Sequence, residues 1–431
     1  MAHAGSRSGR RGANDVSRRT SPGRRGEEAG PGAPGSDVSG NPAAKAVKPA
    51  RARSTRGGEI TPFDAFRYAH AHRSEVAWLS QNTNHLVPPG PIRTALEEAI
   101  RERRYEGYPY GPGDPELLEL VVQDLGLAGV TPFLTAGGTE SLYMIMRALL
   151  SAGDEVIASD PSYLIIHRFV ELSGARTRNL DIYAPPFRLT SERVREAIGP
   201  KTRMILLIDP LNPLGSGYPR EEVRAIAEIA HDHHLLLLND VTYRDFADAP
   251  TLAAEFDPES TLTVWSVSKN CGLAGLRIGG FAGSADLVRN VARFNTNDLG
   301  VNILAQVAAL AGLRTKATWI GGVRRQTRAN GARIKATVDA IPGATLPVYP
   351  SQANMMVIDI AALGISPEAV QEELLQKYGV FVRAGNYLST THGKKFVRVS
   401  FSNPPEDIDR FVQHFPEAIR TLAPQAPTPV A

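Results

Sequence analysis

A lysine and an arginine lie eight residues apart in the stretch WSVSKNCGLAGLRIGG (265–280), which begins at the end of the apolar run TLTVW. If that run is a buried strand, Lys269 and Arg277 follow its carboxyl end, where parallel α/β sheets bind their ligands. A lysine that is desolvated and close to cations has its ammonium form disfavoured, so its free amine can form a Schiff base with an aldehyde. Ser266 and Ser268 add hydroxyl donors to the guanidinium of Arg277, and this combination suits phosphate. The stretch therefore predicts a nucleophilic amine beside a phosphate site.

A second candidate phosphate site opens a predicted helix. The segment AGGTES follows the apolar residues FLT (133–135) and places Gly137, Gly138 and Thr139 at the start of the helical pattern GTESLYMIMRALLS. The first N–H groups of a helix have no partner within the helix, and the helix dipole is positive at this end. We therefore expect an anion such as phosphate to bind at this position.

Polar residues after three other apolar runs add groups of different chemistry. Asp240 ends the run LLLLND, and a buried carboxylate needs a cationic partner, which a protonated pyridine nitrogen would supply. Asn212 in DPLNPLG and Tyr243 in DVTY can hydrogen-bond a phenolate oxygen, and Tyr163 in DPSY can stack on an aromatic ring. Phosphate, aldehyde, pyridine nitrogen and phenol oxygen together describe pyridoxal 5′-phosphate (PLP). The residues therefore predict PLP as the cofactor.

Several other features have simpler explanations. Each group above, taken alone, would be an ordinary turn or helix cap. His231, His233 and His234 in HDHH lie at a predicted helix end without an acidic or cysteine partner at ligand spacing, so we predict a solvated turn and no metal site. Cys271, the single cysteine, is expected to serve packing. No P-loop and no GxGxxG follows a predicted strand, which argues against a nucleotide-dependent function.

Short apolar runs alternate with helical patterns from about residue 95 onward. The runs DEVIAS, RMILLID, LLLLND and TLTVWS are continuous rather than alternating, and they are separated by patterns such as PREEVRAIAEIAHDHH. Continuous apolar strands between helices indicate a mostly parallel sheet covered by helices on both faces. Near the end of the chain, NMMVIDI, KFVRVSF and two helical patterns predict a smaller α+β unit. We therefore predict an α/β fold with a large PLP-binding domain over 95–319 and a small domain from both chain ends, 59–94 and 320–431.

The first 58 residues differ in composition from the rest of the 431-residue chain. Residues 1–58 hold twelve Lys/Arg and four Asp/Glu, no aromatic residue and four large apolar residues. Such a segment cannot bury enough apolar surface to offset its ordering entropy, so we predict a disordered basic tail. We expect it to be a solvated extension, and we expect no nucleic-acid partner.

The sequence also gives expectations about the compartment. No apolar run approaches the roughly 20 residues of a membrane span, so no membrane association is expected. The opening residues MAHAGSRSGRRG lack the apolar core of a secretory signal, and one cysteine cannot form an internal disulfide. These observations favour the cytoplasm.

Four motifs resemble those of a known family, the class I/II aminotransferases among the fold-type I PLP enzymes. SVSKNCGLAGLRIG resembles the signature S-x-S-K-x-x-G-L-A-G-x-R-x-G. NPLG resembles N-P-x-G, with Leu214 where threonine is commonest, and DVTY resembles D-x-x-Y without the frequent acid after aspartate. VRVSF (397–401) resembles the C-terminal strand whose arginine binds the substrate carboxylate. The resemblance covers about residues 75–425, and the order of the motifs along the chain agrees.

The resemblance implies roles for the matching residues around the cofactor ring. Lys269 would form the internal aldimine and later carry the proton. Asp240 would pair with the pyridinium, Asn212 and Tyr243 would hold the phenolate oxygen, and Tyr163 would stack on the ring. The residues implied in binding the phosphate are Gly137, Gly138, Thr139, Ser266, Ser268 and Arg277.

The resemblance also implies contacts with the substrate and with a second subunit. Arg398 would grip the α-carboxylate in a bidentate manner. Asn82 is a candidate neighbour of the substrate, with a plain loop asparagine as the alternative. Tyr108 in YEGYPYGPG is similar to the tyrosine that reaches the phosphate of the neighbouring subunit, although Tyr105 and Tyr110 lie close in the sequence. The implied assembly is a homodimer.

The function implied is a PLP-dependent transaminase that moves an amino group between an L-amino acid and a 2-keto acid. The same cofactor and fold also serve decarboxylases, lyases, racemases and oxygen-dependent oxidases, which these motifs do not separate. A non-enzymatic regulator would need a DNA-reading module, and residues 1–58 show no helix-turn-helix pattern. The substrate side chain stays open, because Arg289 and Arg293 are only candidates for a second carboxylate-binding arginine.

Overall fold

The structure is a computed structural model that describes residues 63–423, so the predicted tail at 1–58 lies outside the described residues. The strands are β1 Ala77–Trp78, β2 Thr131–Thr135, β3 Glu155–Asp160, β4 Arg176–Asp181, β5 Thr202–Ile208, β6 Leu236–Asp240, β7 Thr261–Ser266, β8 Gly279–Gly283, β9 Met355–Asp359, β10 Val380–Phe381, β11 Arg383–Ala384 and β12 Phe396–Ser400. The helices are α1 Ala65–Ala71, α2 Gly90–Arg101, α3 Pro115–Leu125, α4 Gly138–Leu149, α5 Ile165–Leu172, α6 Ser191–Ala197, α7 Arg220–Asp232, α8 Val267–Asn270, α9 Ala285–Ala292, α10 Ile303–Asp339, α11 Pro367–Tyr378 and α12 Pro405–Leu422.

A seven-stranded sheet forms the centre of the molecule, in the order β2-β8-β7-β6-β5-β3-β4. The pairs from β7 through β6, β5 and β3 to β4 are parallel. Only β8 runs against its neighbours, β2 and β7. The strands are rich in Leu, Ile and Val, and β3 and β7 are buried along their whole length, as expected for a sheet covered on both faces.

Two buried clusters place helices on both faces of this sheet. Residues of α4, α5, α6, α7 and α9 pack into one cluster with the central strands. Residues of α3 and α10 pack into a second cluster with residues at the ends of β7 and β8. The predicted α/β fold, with a mostly parallel sheet between helices, is confirmed.

A smaller antiparallel sheet, in the order β11-β12-β9, lies apart from the central one. Its residues pack with α11, α12 and the last part of α10 into a third cluster that contains Val397, Val399 and Phe411. The short parallel pair β1–β10 joins the beginning of the described chain to this region. This arrangement supports the small domain of the sequence analysis, which remains a proposal.

The 37-residue helix α10 links the two parts of the molecule. Ala305 and Ala309 near its start belong to the second cluster, whereas Ile334 and Val338 near its end belong to the third. The proposed boundary at residues 319/320 therefore lies inside a continuous helix, and the boundary at 94/95 lies inside α2.

The parallel strands end side by side, which brings distant residues of the chain together. Ile208 at the end of β5 pairs with Asp240 at the end of β6, and Asp240 pairs with Val264 of β7. The loops that follow these strands therefore start from one edge of the sheet. No helix in the described part of the chain combines the length and apolar character needed to cross a membrane.

Candidate active site

A cavity of about 220 Å³ lies at this edge of the sheet, and most of the predicted site residues meet there. It is bounded by the ends of β6 and β7, the start of α4 and one residue of β12. The predicted residues that line it are Asn82, Gly138, Thr139, Tyr163, Asn212, Asp240, Tyr243, Ser266, Ser268, Lys269, Arg277 and Arg398. Residues that span more than 300 positions of the sequence thus converge on one space.

Two predicted residues do not line the cavity. Gly137 precedes α4, with a φ of 92°, and lies directly beside the guanidinium of Arg277. Tyr108 is 80% exposed in the single chain and belongs to a loop outside the cavity wall. Its predicted contact with a neighbouring subunit is therefore not tested by this chain alone.

Lys269 lies in the short helix α8, which starts directly after the end of β7. Its Nζ donates a hydrogen bond to the backbone oxygen of Gln81, 2.8 Å away. Burial, and then the positive charges of Arg398 and Arg277, lower the pKa of Lys269 to about 7. Because the amine makes no ion pair with any described residue, a large share of it is uncharged near neutral pH.

Asp240 is the last residue of β6 and is buried. One of its oxygens, Oδ1, accepts hydrogen bonds from the backbone N–H of Thr242 at 3.0 Å and from the Thr242 hydroxyl at 2.6 Å. Burial raises the pKa of Asp240, and the two Thr242 hydrogen bonds oppose that rise. Within residues 63–423 no cationic side chain pairs with this carboxylate, so the cavity holds a buried acid that lacks a counter-charge.

Hydrogen-bond donors gather in the cavity wall where α4 and α8 begin. The Ser266 hydroxyl donates to the Ser268 hydroxyl at 2.9 Å, and the Thr139 hydroxyl lies 3.5 Å from the Tyr163 hydroxyl. Arg277 is exposed at the rim and donates to the backbone oxygen of Ala274. Hydroxyls, a guanidinium and the free N–H groups of a helix start form a site for phosphate.

Arg398 enters the cavity from the small sheet, on β12. Its guanidinium donates to Asn212 Oδ1 at 2.8 Å and to the Ser80 backbone oxygen at 2.5 Å, while its Nε is buried without a partner. Burial lowers the pKa of Arg398 to about 10, against the opposing influence of Tyr243. Even so, the side chain is charged at neutral pH, and its fork is available to a carboxylate.

Asn82 and Tyr243 connect the two parts of the site. The Asn82 side-chain amide donates to the Tyr243 hydroxyl at 3.0 Å, whereas its Oδ1 is buried without a partner. Asn82 adopts a φ of 53°, a left-handed conformation that few residue types accept readily. Since this amide oxygen is buried at the cavity wall without a donor among the described residues, it is available to a ligand.

Sequence reasoning missed two polar residues of the cavity wall, Gln81 and Thr242, and three apolar ones, Leu142, Ile208 and Ala274. Thr242 stands within the DVTY motif two positions after Asp240, and an aspartate side chain commonly accepts from the backbone N–H two residues later, so a signal was present. Gln81 acts through its backbone oxygen on Lys269, and backbone acceptors leave no trace in residue type. No cluster of three potential metal ligands occurs within residues 63–423.

The side chains that line the cavity fit PLP by their chemistry. Among the described residues, Asp240 is a buried acid without a cationic partner, and Lys269 is a buried amine without an acidic partner. The space between them also adjoins a helix start with hydroxyl donors and two unpaired arginines, Arg277 and Arg398. A ligand with a protonated ring nitrogen, an aldehyde and a phosphate would satisfy each of these groups at once.

Comparisons with known proteins agree with the site. Residues 74–415 match the family model "Aminotransferase class I and II". An aspartate aminotransferase of Pyrococcus horikoshii is 27% identical over 347 residues, which cover 77% of this chain and 87% of that protein. A probable N-acetyl-LL-diaminopimelate aminotransferase of Bacillus subtilis is 26% identical over 384 residues, covering 84% of this chain and 96% of that protein.

Solved structures give the same result. A mutant aspartate aminotransferase of Thermus thermophilus superposes with a TM-score of 0.71 at 25% identity, covering 79% of this chain and 95% of that structure. The family model spans more than half of the chain. The chain therefore belongs to the class I and II aminotransferase family, and it is a PLP-dependent transaminase.

Proposed function

We propose that this cavity transfers an amino group between an L-amino acid and a 2-keto acid, with Lys269 as the residue that bonds PLP and moves the substrate proton. The observation that carries the proposal is the pKa of Lys269, about 7, in a cavity that it shares with the buried carboxylate of Asp240. An amine must be uncharged to attack an aldehyde or to take a proton, and a pKa near 7 meets that requirement at neutral pH.

PLP, when bound, supplies an electron sink for the charge that remains when the substrate loses its Cα proton. The residues of the chain would orient and tune it. Asp240 would keep the ring nitrogen protonated, because a buried carboxylate favours a cation beside it. Asn212 and Tyr243 would hold the ring oxygen, and Tyr163 would cover one face of the ring. The phosphate would be bound by Gly137, Gly138, Thr139, Ser266, Ser268 and Arg277.

Arg398 and Asn82 would bind the substrate on the side of the small sheet. Arg398 is already held by Asn212 and by the Ser80 backbone, so its fork is oriented before the α-carboxylate arrives. The unpartnered Asn82 oxygen can accept from the amino group that is transferred. Fixing the carboxylate and the amine together would hold the Cα proton toward Lys269.

The assembly and the compartment are part of the same proposal. We propose a homodimer in which Tyr108 reaches the phosphate site of the partner, because an 80% exposed tyrosine in a chain of this family has no role within its own cavity. We place the enzyme in the cytoplasm, where a buried free thiol such as that of Cys271 stays reduced.

The names of the relatives leave the substrate side chain open. One relative is named for aspartate and another for N-acetyl-LL-diaminopimelate, whose side chains differ in length and charge. We therefore propose amino-group transfer without assigning the donor from the names.

Replacing Lys269 tests the proposal. With a panel of L-amino acids and 2-oxoglutarate as acceptor, the wild-type protein should form the matching keto acids, and Lys269→Ala should lower the rate at least about 10³-fold because the proton carrier is lost. Lys201→Ala, an exposed lysine away from the cavity, is the matched control and should keep full activity. Carbon dioxide, or ammonia with peroxide, in place of stoichiometric amino transfer would instead indicate a decarboxylase or an oxidase.

A further inference from the structure

Arg383 lies beside Arg398 in the small sheet. The antiparallel pairing of β11 and β12 sets Arg383 directly opposite Arg398. Directly opposed residues project from the same face of a sheet, with Cβ atoms about 4.5–5.5 Å apart. Since Arg398 lines the cavity, Arg383 projects from the same face of the sheet and lies next to the cavity wall, although it is not part of that wall.

Two aromatic rings hold the Arg383 guanidinium between them. Its central carbon lies 3.8 Å from the ring centroid of Tyr387 and 4.5 Å from that of Phe66 in α1. Stacking of this kind fixes the plane of a guanidinium and leaves its N–H edges unoccupied. The side chain is thus held in position without use of its hydrogen-bond donors.

No described residue accepts a hydrogen bond or forms an ion pair with the Arg383 side chain, and its Nη1 is buried without a partner. Tyr387 and Tyr163 both favour the charged form of Arg383, and Tyr163 lines the cavity. Burial lowers the pKa of Arg383, and these two tyrosines oppose that change. Because a half-buried cation without an acceptor is costly, the site favours an anion from outside the described chain.

Arg289 and Arg293, the two candidates in the sequence for a second carboxylate-binding arginine, lie elsewhere in the fold. Arg289 is exposed and pairs with Asp286 on its own helix, α9. Arg293 is also exposed, at the end of the same helix. Neither residue lies on the small sheet beside Arg398, where Arg383 is.

We propose that Arg383 binds an anionic group at the end of the substrate side chain while Arg398 binds the α-carboxylate. The chemistry shared by the possible ligands is a planar or tetrahedral oxyanion, a carboxylate or a phosphate, which a guanidinium edge binds in a bidentate manner. The inference rests on the proposed role of Arg398 and names the class of substrate: amino acids with an acidic side chain, and the corresponding keto acids.

Steady-state kinetics with three donors test this assignment. The donors are L-glutamate, O-phospho-L-serine and the uncharged L-norvaline, each compared in the wild type and in Arg383→Met. In Arg383→Met we expect kcat/KM for the two acidic donors to fall about 30- to 100-fold, because a charge-assisted hydrogen-bonded pair is lost. The value of kcat/KM for norvaline should change less than about 3-fold. A loss with glutamate alone identifies a carboxylate site, and a loss with phosphoserine alone identifies a phosphate site.

Arg383→Lys and Arg289→Met are the matched variants. Arg383→Lys keeps the charge without the fork and should recover part of the loss, whereas Arg289→Met removes an exposed arginine and should behave as wild type. Equal losses with all three donors, or no loss with either acidic donor, would overturn the assignment. In that case norvaline turnover by the wild type would still support the proposed transamination.

Ligand binding gives a second test that does not depend on turnover. Glutarate should bind the PLP-loaded wild-type protein at least about 10-fold more tightly than butyrate, which lacks the second carboxylate, and this preference should vanish in Arg383→Met. Titration calorimetry measures both affinities. A preference for glutarate that survives in Arg383→Met would place the second anion elsewhere, even if the transaminase reaction itself were established.

Discussion

At the scale of single residues, the site depends on charges that the chain leaves uncompensated. Lys269 and Asp240 face one cavity, and neither has a partner of opposite charge among residues 63–423. An uncompensated buried charge destabilises the folded protein until a ligand supplies its partner. The same residues that are proposed to bind the cofactor should therefore weaken the cofactor-free protein.

The stability of the cofactor-free protein should show this cost at Lys269. The folded-state pKa of Lys269, about 7, lies below the ordinary lysine value of 10.5. Between about pH 7 and pH 10.5 the Lys269 amine is protonated in the unfolded chain and uncharged in the folded one. The free energy of unfolding therefore rises with pH across this range, and Lys269 destabilises the folded protein most below about pH 7. Removing the amine in Lys269→Met should stabilise the cofactor-free protein by on the order of 2 kcal/mol at pH 6.5, a figure reduced for the water that reaches the cavity.

Urea unfolding of both proteins without PLP, at pH 6.5 and at pH 9.5, measures this difference. The advantage of Lys269→Met should shrink at the higher pH, and comparison of the two proteins at each pH cancels the titration of all other groups. An advantage that is independent of pH would mean that packing of the methionine, and not the buried charge, is responsible.

The residues that sequence analysis identified share one property, which is that their type carries the chemistry. A lysine after a strand, an aspartate at a strand end and an arginine in VRVSF are visible in the sequence. Arg383 was not identified, because its significance comes from its register opposite Arg398 and from the stacking of Phe66, a residue more than 300 positions away. Contacts between distant segments are a product of the fold and are not encoded by local spacing.

At the scale of elements, the junction between β2 and α4 shapes the end of the cavity that is proposed to bind phosphate. Gly137 has a φ of 92°, and a Cβ built there would lie 2.6 Å from Nη2 of Arg277. Only glycine adopts this conformation without strain and also leaves space for the guanidinium. The start of α4 and the position of Arg277 are therefore set together.

Gly137→Ala should weaken PLP binding by about 10- to 100-fold, because the loop must strain and Arg277 must move away from the phosphate site. Equilibrium dialysis of the cofactor-free protein against PLP measures the affinity. Gly275→Ala is the matched control, since a Cβ at that position meets nothing within 4 Å, and its affinity should be unchanged. Unchanged affinity in Gly137→Ala as well would separate this glycine from the phosphate site.

Most elements near the site could be predicted from the sequence because their apolar runs are continuous. TLTVWS coincides with β7, and RMILLID and LLLLND overlap β5 and β6. The reversed direction of β8 could not be predicted, because strand direction depends on the connections and not on composition. The length of α10 was also missed, because this helix packs on two clusters in turn and so lacks one continuous apolar face.

At the scale of the whole molecule, the site joins two parts of the chain. Arg398 comes from the small sheet and Lys269 from the edge of the large one. Further hydrogen bonds connect the same two regions: Tyr183 donates to Asp359 at 2.7 Å, and Thr390 donates to Asp160 at 2.9 Å. The proposed homodimer would add a third contribution, from the partner's loop that carries Tyr108.

Mixed dimers can test that contribution directly. Tyr108→Ala should lower activity at limiting PLP about 10-fold or more, since a hydrogen bond to the phosphate is lost, and Lys269→Ala should be inactive. If Tyr108 acts across the interface, a dimer with one subunit of each variant contains one site with both residues intact, so it should recover about half of the wild-type activity. Co-expression with two different affinity tags isolates such dimers.

The mixed dimer distinguishes the two arrangements because only a site shared between subunits can combine an intact Tyr108 from one subunit with an intact Lys269 from the other. If Tyr108 served its own subunit, one site of the mixed dimer would carry Tyr108→Ala and the other would be inactive, and activity would be about half that of the Tyr108→Ala dimer. Tyr105→Ala provides the comparison for the neighbouring exposed tyrosine and should retain wild-type activity on its own. A different outcome would assign the interface contact to Tyr105. In that outcome Tyr108→Ala would be fully active, Tyr105→Ala would lose activity, and a mixed dimer of Tyr105→Ala with Lys269→Ala would recover it.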